Sequence, residues 1–115
     1  MIFRVRRYTL APGKLEAFNK FFLERLLPVQ RRHGAQLVGR WASEGGDQIL
    51  AVWAYESRES YDQIQQQVRR DPDALAAQVH RRQTLDPLFT ETDEEFMFST
   101  VPLALTELAH LEDED

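Results

Sequence analysis

An α+β sandwich with the element order strand, helix, strand, strand, helix, strand is predicted by three features of this chain. Alternating strand-like runs occupy residues 2–10, 35–43 and 48–56, amphipathic helical stripes follow the first and third, and a glycine pair joins the second to the third. In the first run Phe3, Val5, Arg7 and Thr9 alternate with Arg4, Arg6, Tyr8 and Leu10. Pro12-Gly13 ends it, and from Lys14 the apolar residues Leu15, Phe18, Phe22, Leu26 and Val29 recur every three or four positions along one helical face. Pro28 has no N–H to return to Glu24 and crowds that carbonyl, so a kink is expected near Leu27 and a helix end at Gly34.

The two central strands flank Glu44-Gly45-Gly46-Asp47, a hairpin turn in which glycine supplies a positive φ. Ser57 reads as the N-cap of a second helix with Tyr61, Ile64 and Val68 on its apolar face. Asp71-Pro72 restarts that helix, with Asp as cap and Pro in the first turn, and Leu75, Val79 and Leu85 continue it. Residues 95–101 give the last strand. One domain spanning residues 1–102 is therefore expected, followed by an acidic tail at 103–115.

Composition narrows the function. The net charge of −5 argues against a nucleic-acid partner, which would need a basic surface. No apolar stretch approaches the roughly 20 residues that span a bilayer, so membrane insertion is not expected. The chain opens directly on a strand with no secretory pattern, which makes the cytoplasm the expected compartment. There are no cysteines for disulfides, thiolate metal sites or thiol nucleophiles. The three histidines share no ligand-like spacing, and the acidic run Glu91, Asp93, Glu94, Glu95 reads as a solvated loop, so neither a metal nor a cofactor is expected. His33 reads as a helix-end charge, His80 as solvated, and Glu59 and Asp62 as helix-surface charges. The serines lack a nucleophile-elbow context and no phosphate loop is present, which leaves the catalytic residues, if any, unknown.

Period two sorts the strand residues into faces. With Phe3 and Val5 turned to the helices, Arg4, Arg6 and Tyr8 fall on the opposite, uncovered face. A hairpin centred on Gly45-Gly46 pairs Val38 with Trp53 and Arg40 with Ala51. That pairing adds Leu37, Trp41, Leu50 and Val52 to the helix side, and Val38, Arg40, Ile49, Trp53 and Tyr55 to the uncovered side. An uncovered face rich in tryptophan and tyrosine is more apolar than a monomer leaves wet, so a second copy of the chain is the expected cover. The space between the two sheets would then be lined by Arg6, Tyr8, Arg40, Trp53 and Tyr55, the candidate ligand-binding residues for a small anionic or aromatic molecule.

The series Arg6, Tyr8, Thr9, Leu10, Pro12, Gly13, Lys14, Leu15, Glu16, Phe18 resembles the NIPSNAP family. The likeness continues through Arg32-His33-Gly34, Leu37-Val38-Gly39, Trp41 and Trp53-Ala54-Tyr55-Glu56-Ser57, over about residues 2–101. The resemblance implies a dimeric α/β barrel of ferredoxin-like subunits. It also implies a histidine two residues before the Trp53 position, where this chain has Ala51, and a polar residue where it has Ala54. The function expected is that of a homodimer binding a small molecule, its activity uncharacterised. The alternatives are a cofactor-independent monooxygenase or haem-handling enzyme of the dimeric barrel type, and a structural or adaptor protein.

Overall fold

In the computed structural model, which describes residues 1–103, β1 (Ile2–Leu10) runs between β3 (Gln48–Tyr55) and β4 (Phe89–Met97), antiparallel to both. With β2 (Gln36–Ala42) outside β3, the sheet order is β2-β3-β1-β4. The helices pack on one face of this sheet, giving a ferredoxin-like α+β fold. The acidic segment expected from residue 103 onward lies, but for Leu103, outside the described residues.

The first helical stretch comprises α1 (Leu15–Phe21), a π-helical turn (Phe22–Leu26) and α2 (Leu27–Arg32). The wide turn stands immediately before Pro28, where a regular helix would need the missing N–H, and so replaces the expected kink. It also has a consequence for packing. Phe18, Phe22, Leu26 and Gln30 follow one another at intervals of four, a run that a 3.6-residue repeat would rotate by about 40° per step. The π turn takes up part of that rotation, and all four side chains reach the same cavity.

α3 (Arg58–Arg70) starts at Ser57, whose Oγ accepts the Ser60 N–H, and α4 (Pro72–His80) starts at Asp71, whose carboxylate accepts the Asp73 N–H. A second π-helical turn, Arg81–Leu85, follows. Asp71 also clasps the two helical stretches together. Its Oδ2 accepts from Arg32 Nη1 at 2.8 Å and lies 2.7 Å from His33 Nε2, so the His33 side chain binds the second stretch rather than its own helix end. In the hairpin, Gly46 has φ of +73° and its N–H donates to Ser43, while Ser43 Oγ donates to Asp47.

Three expectations are corrected. The strand grouping is right but its side is inverted: Tyr8, Ile49, Trp53 and Tyr55 pack under the helices, whereas Phe3 and Val5 belong to neither helix-side cluster and alternate onto the far face with Leu50 and Val52. The reason is that both sets of alternate residues are apolar enough to be covered, and the helices bring Phe18, Phe22 and Tyr61, whose rings accept cationic neighbours. In the hairpin, Arg40 does face Ala51, but the register shifts between Leu37 and Gly39, so Leu37 rather than Val38 opposes Trp53 and shares its face; Leu37 is on the helix side, as expected, while Trp53 has come over to join it. Finally, β4 begins at Phe89, so the acidic run is strand and not loop. Its carboxylates are held there by β1: Glu94 by Arg4 and Arg6, and Asp93 and Glu95 by Arg7.

Candidate functional site

A cavity of about 270 Å³ opens between the helix-facing side of the sheet and the helices. β1 contributes Arg4, Arg6 and Tyr8 to it, β2 contributes Arg40, and β3 contributes Ala51 and Trp53. Phe18, Phe22, Leu26 and Gln30 descend from the first helical stretch, Gln65 from α3, Arg81 from the second π turn and Phe89 from β4. An apolar cavity of about 150 Å³ already admits benzene, so this space has room for an aromatic ring with substituents.

Its walls are aromatic. Tyr8 meets Phe18 and Phe89 edge-on, each at 5.1 Å between ring centroids, and Trp53 lies 6.0 Å from Phe22. Guanidinium groups lie over several of these rings: Arg40 at 4.3 Å from the Phe22 centroid and 4.8 Å from that of Phe18, Arg6 at 5.2 Å from that of Tyr8, and Arg81 at 5.6 Å from that of Phe89.

What distinguishes the site is the state of these arginines. Arg4 is well served: burial pulls its pKa down most strongly, but the hydrogen bond to Glu94 together with the charge interactions with Tyr61, Glu94 and Tyr55 raises it overall. Arg6 shares that carboxylate at 3.5 Å and reaches Thr92 with Nη2, yet its buried Nε has no partner. Arg40 donates to Asn19 at 2.6 Å, forms no ion pair among the described residues and leaves Nη2 buried and unbonded. Burial accordingly lowers its pKa. Arg81 Nε, also buried, lies 3.4 Å from Asp86 without the alignment of a hydrogen bond. Four guanidiniums thus meet two carboxylates around one cavity, and three of the four keep an unused N–H.

Also in the lining, the Gln30 and Gln65 amides face each other, Gln65 Nε2 donating to Gln30 Oε1 at 2.9 Å. Tyr55 does not line this cavity. It sits beside it in a separate depression with Gly34 and Ile64, edge-on to Tyr61, and its buried hydroxyl lacks a hydrogen bond. Burial pushes that hydroxyl's pKa up, with the Arg4 charge pulling the other way.

Of the five sequence candidates, Arg6, Tyr8, Arg40 and Trp53 therefore meet in one cavity, under the helices rather than between two sheets. Sequence reasoning missed Arg81, Gln30 and Gln65. A signal existed for the glutamines: Gln30 and Gln65 each stand four residues after an apolar stripe residue, Leu26 and Tyr61. Nothing local marked Arg81. His80, expected to be solvated, stacks on Phe21 at 6.4 Å. Among the described residues no group of three or more His, Asp or Glu side chains is placed to hold a metal ion, and no helix is long and apolar enough to cross a membrane.

The NIPSNAP family model matches residues 3–101, across every element that builds the sheet and its cavity. The chain belongs to the NIPSNAP family. Solved relatives share the fold. A NIPSNAP family protein of unknown function from Agrobacterium tumefaciens superposes with a TM-score of 0.74 at 25% identity, covering 89% of this chain and 94% of its own. An uncharacterised NIPSNAP domain protein from Burkholderia xenovorans gives 0.73 at 23% identity, covering 90% and 96%. A putative antibiotic biosynthesis monooxygenase from Nitrosomonas europaea gives 0.64 at 13%, covering 88% and 100%, a likeness of fold alone. No curated protein matches this NIPSNAP chain. Ala51, at the position where the family resemblance implies a histidine, lines the cavity between Arg6 and Arg40, its neighbours on β1 and β2.

Proposed function

We propose that this NIPSNAP protein is a cytoplasmic homodimer in which each subunit binds a small aromatic anion between its sheet and its helices. The observation that carries the ligand reading is the set of three unused, buried guanidinium N–H groups, on Arg6, Arg40 and Arg81, around a single aromatic-walled cavity. An unbonded buried donor costs free energy, more so on a charged group, and a carboxylate with two oxygens would satisfy several at once. The flat walls of Phe18, Phe22 and Trp53 suit a ring, and the Gln30 and Gln65 amides suit a carbonyl or hydroxyl on that ring.

Dimerisation is supported by the far face of the sheet. There Trp41 is 54% exposed and Met97 39%, beside Leu50 and Val52, with Arg7 and its partners Asp93 and Glu95 providing both signs of charge. A two-fold axis would bring this mixed patch onto its own copy.

Isothermal titration of the purified protein with benzoate and 1-naphthoate tests the ligand. Binding in the micromolar to millimolar range that weakens at least tenfold in Arg40→Gln is expected, whereas no heat at millimolar ligand would sink the reading. Sedimentation velocity tests the dimer, which predicts one species of twice 13.4 kDa that Trp41→Glu splits. A wild-type protein that sediments as a monomer at micromolar concentration would refute it.

A second reading is suggested by the fold shared with the putative antibiotic biosynthesis monooxygenase from Nitrosomonas europaea: the same arginines would stabilise a phenolate that molecular oxygen oxidises without a cofactor. Oxygen consumption with hydroquinones, measured at an electrode, separates a catalyst from a binding protein.

A further inference from the structure

The charged cavity is not isolated. Two of its lining side chains, Leu26 and Arg81, also line an outer groove of about 410 Å³ on the helical side, where the first helical stretch meets α3 and α4. Phe21, Val68 and Leu75 complete the apolar surface of this groove, and Leu75 leaves 53% of itself in water. The polarity therefore runs opposite to that of an ordinary protein section. Cationic donors lie inside, under the helices, and a mostly apolar surface, flanked by Arg69 and Gln78, lies outside, with Leu26 and Arg81 common to both linings.

We infer that the ligand of this site is amphipathic: an aromatic acid whose head enters the arginine cavity and whose unbranched alkyl tail leaves past Leu26 and Arg81 to lie in the groove along Val68 and Leu75. This rests on the cavity reading above and adds the tail. A wholly polar anion would gain nothing from the groove, and a wholly apolar molecule would leave the donors of Arg6 and Arg40 unanswered. Arg81 suits the junction. Its aliphatic stem can border the groove while its guanidinium lies over Phe89 in the cavity.

The test is a homologous series, benzoate, 4-butylbenzoate and 4-hexylbenzoate, titrated calorimetrically into the 115-residue protein and into Leu75→Glu. Because Leu75 is half exposed, the variant is expected to fold, and circular dichroism checks it. Affinity should rise about two- to fourfold for each added methylene in the wild type. Leu75→Glu should bring the alkylated probes back near the benzoate value while changing benzoate itself by less than twofold. If benzoate binds but affinity does not rise with length, or the rise survives Leu75→Glu, the tail inference is overturned and the cavity reading stands. If no member of the series binds, both fall together.

Discussion

On the helix-covered face of the sheet, Arg6 and Arg40 are half-buried beside aromatic rings, and each keeps one buried donor with no partner. On the opposite face Arg7, from the same strand as Arg6, is half exposed and holds two carboxylates, Asp93 at 3.2 Å and Glu95 at 2.9 Å. The exposed Arg7 has two carboxylates to itself, whereas on the covered face Arg4 and Arg6 share Glu94 and Arg40 has no ion pair among the described residues. A stability argument alone predicts the reverse, since desolvating an incompletely paired guanidinium is costly and an exposed pair contributes little. The unanswered donors of the covered face are what the proposed ligand would satisfy.

The two tryptophans give the largest contrast between these faces. Trp53 is 5% exposed and packs on Phe22, whereas Trp41 lies on the far face in contact with solvent. Trp53→Ala should cost about 3–5 kcal/mol in urea denaturation, and Trp41→Ala about 1 kcal/mol or less, measured at concentrations low enough to hold the chain monomeric. Equal losses would mean that the far face is as well packed as the covered one.

The arginines sharpen the comparison. Since folding lowers the Arg40 pKa, the charged form is disfavoured in the folded state at every pH where the group is protonated. Arg40→Met should therefore leave the melting temperature of the free protein unchanged or raise it by about 2–4 °C, while benzoate affinity falls at least tenfold. Arg7→Met should alter stability by less than about 0.5 kcal/mol and leave benzoate binding intact. A destabilised Arg40→Met protein would show that its contacts with Phe18, Phe22 and Asn19 outweigh its burial, and that the site is structural.

How far this contrast could be read in the chain depends on which physical rule is asked. Alternation is local, so Arg6, Tyr8, Arg40, Trp53 and Tyr55 were assigned to a common face correctly, helped by a hairpin register that holds from Gly39 to Ala42. Which face the helices cover is not local. It follows from how the connections cross the sheet, and the apolar character of Phe3 and Val5 is no guide when Tyr8, Ile49 and Trp53 alternate with them. The acidic run in β4 looked like a loop because its cationic partners stand on β1, at the other end of the sequence. Arg81 joins the cavity only through a turn whose π geometry no periodicity announces. The caps at Ser57 and Asp71, by contrast, are encoded within three residues and were legible.

The clasp that holds the helical layer over the cavity should have its own pH signature. The Asp71 carboxyl is held below the ordinary carboxylate range by its hydrogen bond with His33 and then by the Asp73 N–H, against an opposing effect of burial, with Arg32 adding to the lowering. A depressed folded pKa adds stability that is complete above the unfolded pKa, near 4, and is lost as the pH falls through the folded value. Melting temperature should consequently drop on acidification below about pH 4. Asp71→Asn, which keeps an N-cap acceptor, should be less stable at pH 7 and show a shallower acid limb. Parallel acid limbs for the two proteins would assign the pH dependence to other carboxylates.

The smallest expected effect concerns how the far face is shaped. A Cβ placed on Gly39 would lie 2.4 Å from two atoms of the Trp41 ring, so the indole lies along its own strand in the space that glycine leaves. Gly39 has no positive φ, and alanine is therefore compatible with the backbone there. Gly39→Ala must then displace the ring, and because Trp41 is half exposed it can swing into solvent at a cost of about 1 kcal/mol or less. In a Trp53→Phe background the fluorescence of Trp41 should shift to longer wavelength, with benzoate affinity unchanged. If the far face is where two subunits meet, the displaced ring should also weaken their association, so a dimer constant unaffected by Gly39→Ala would place the subunit contact away from Trp41 and leave that face to solvent.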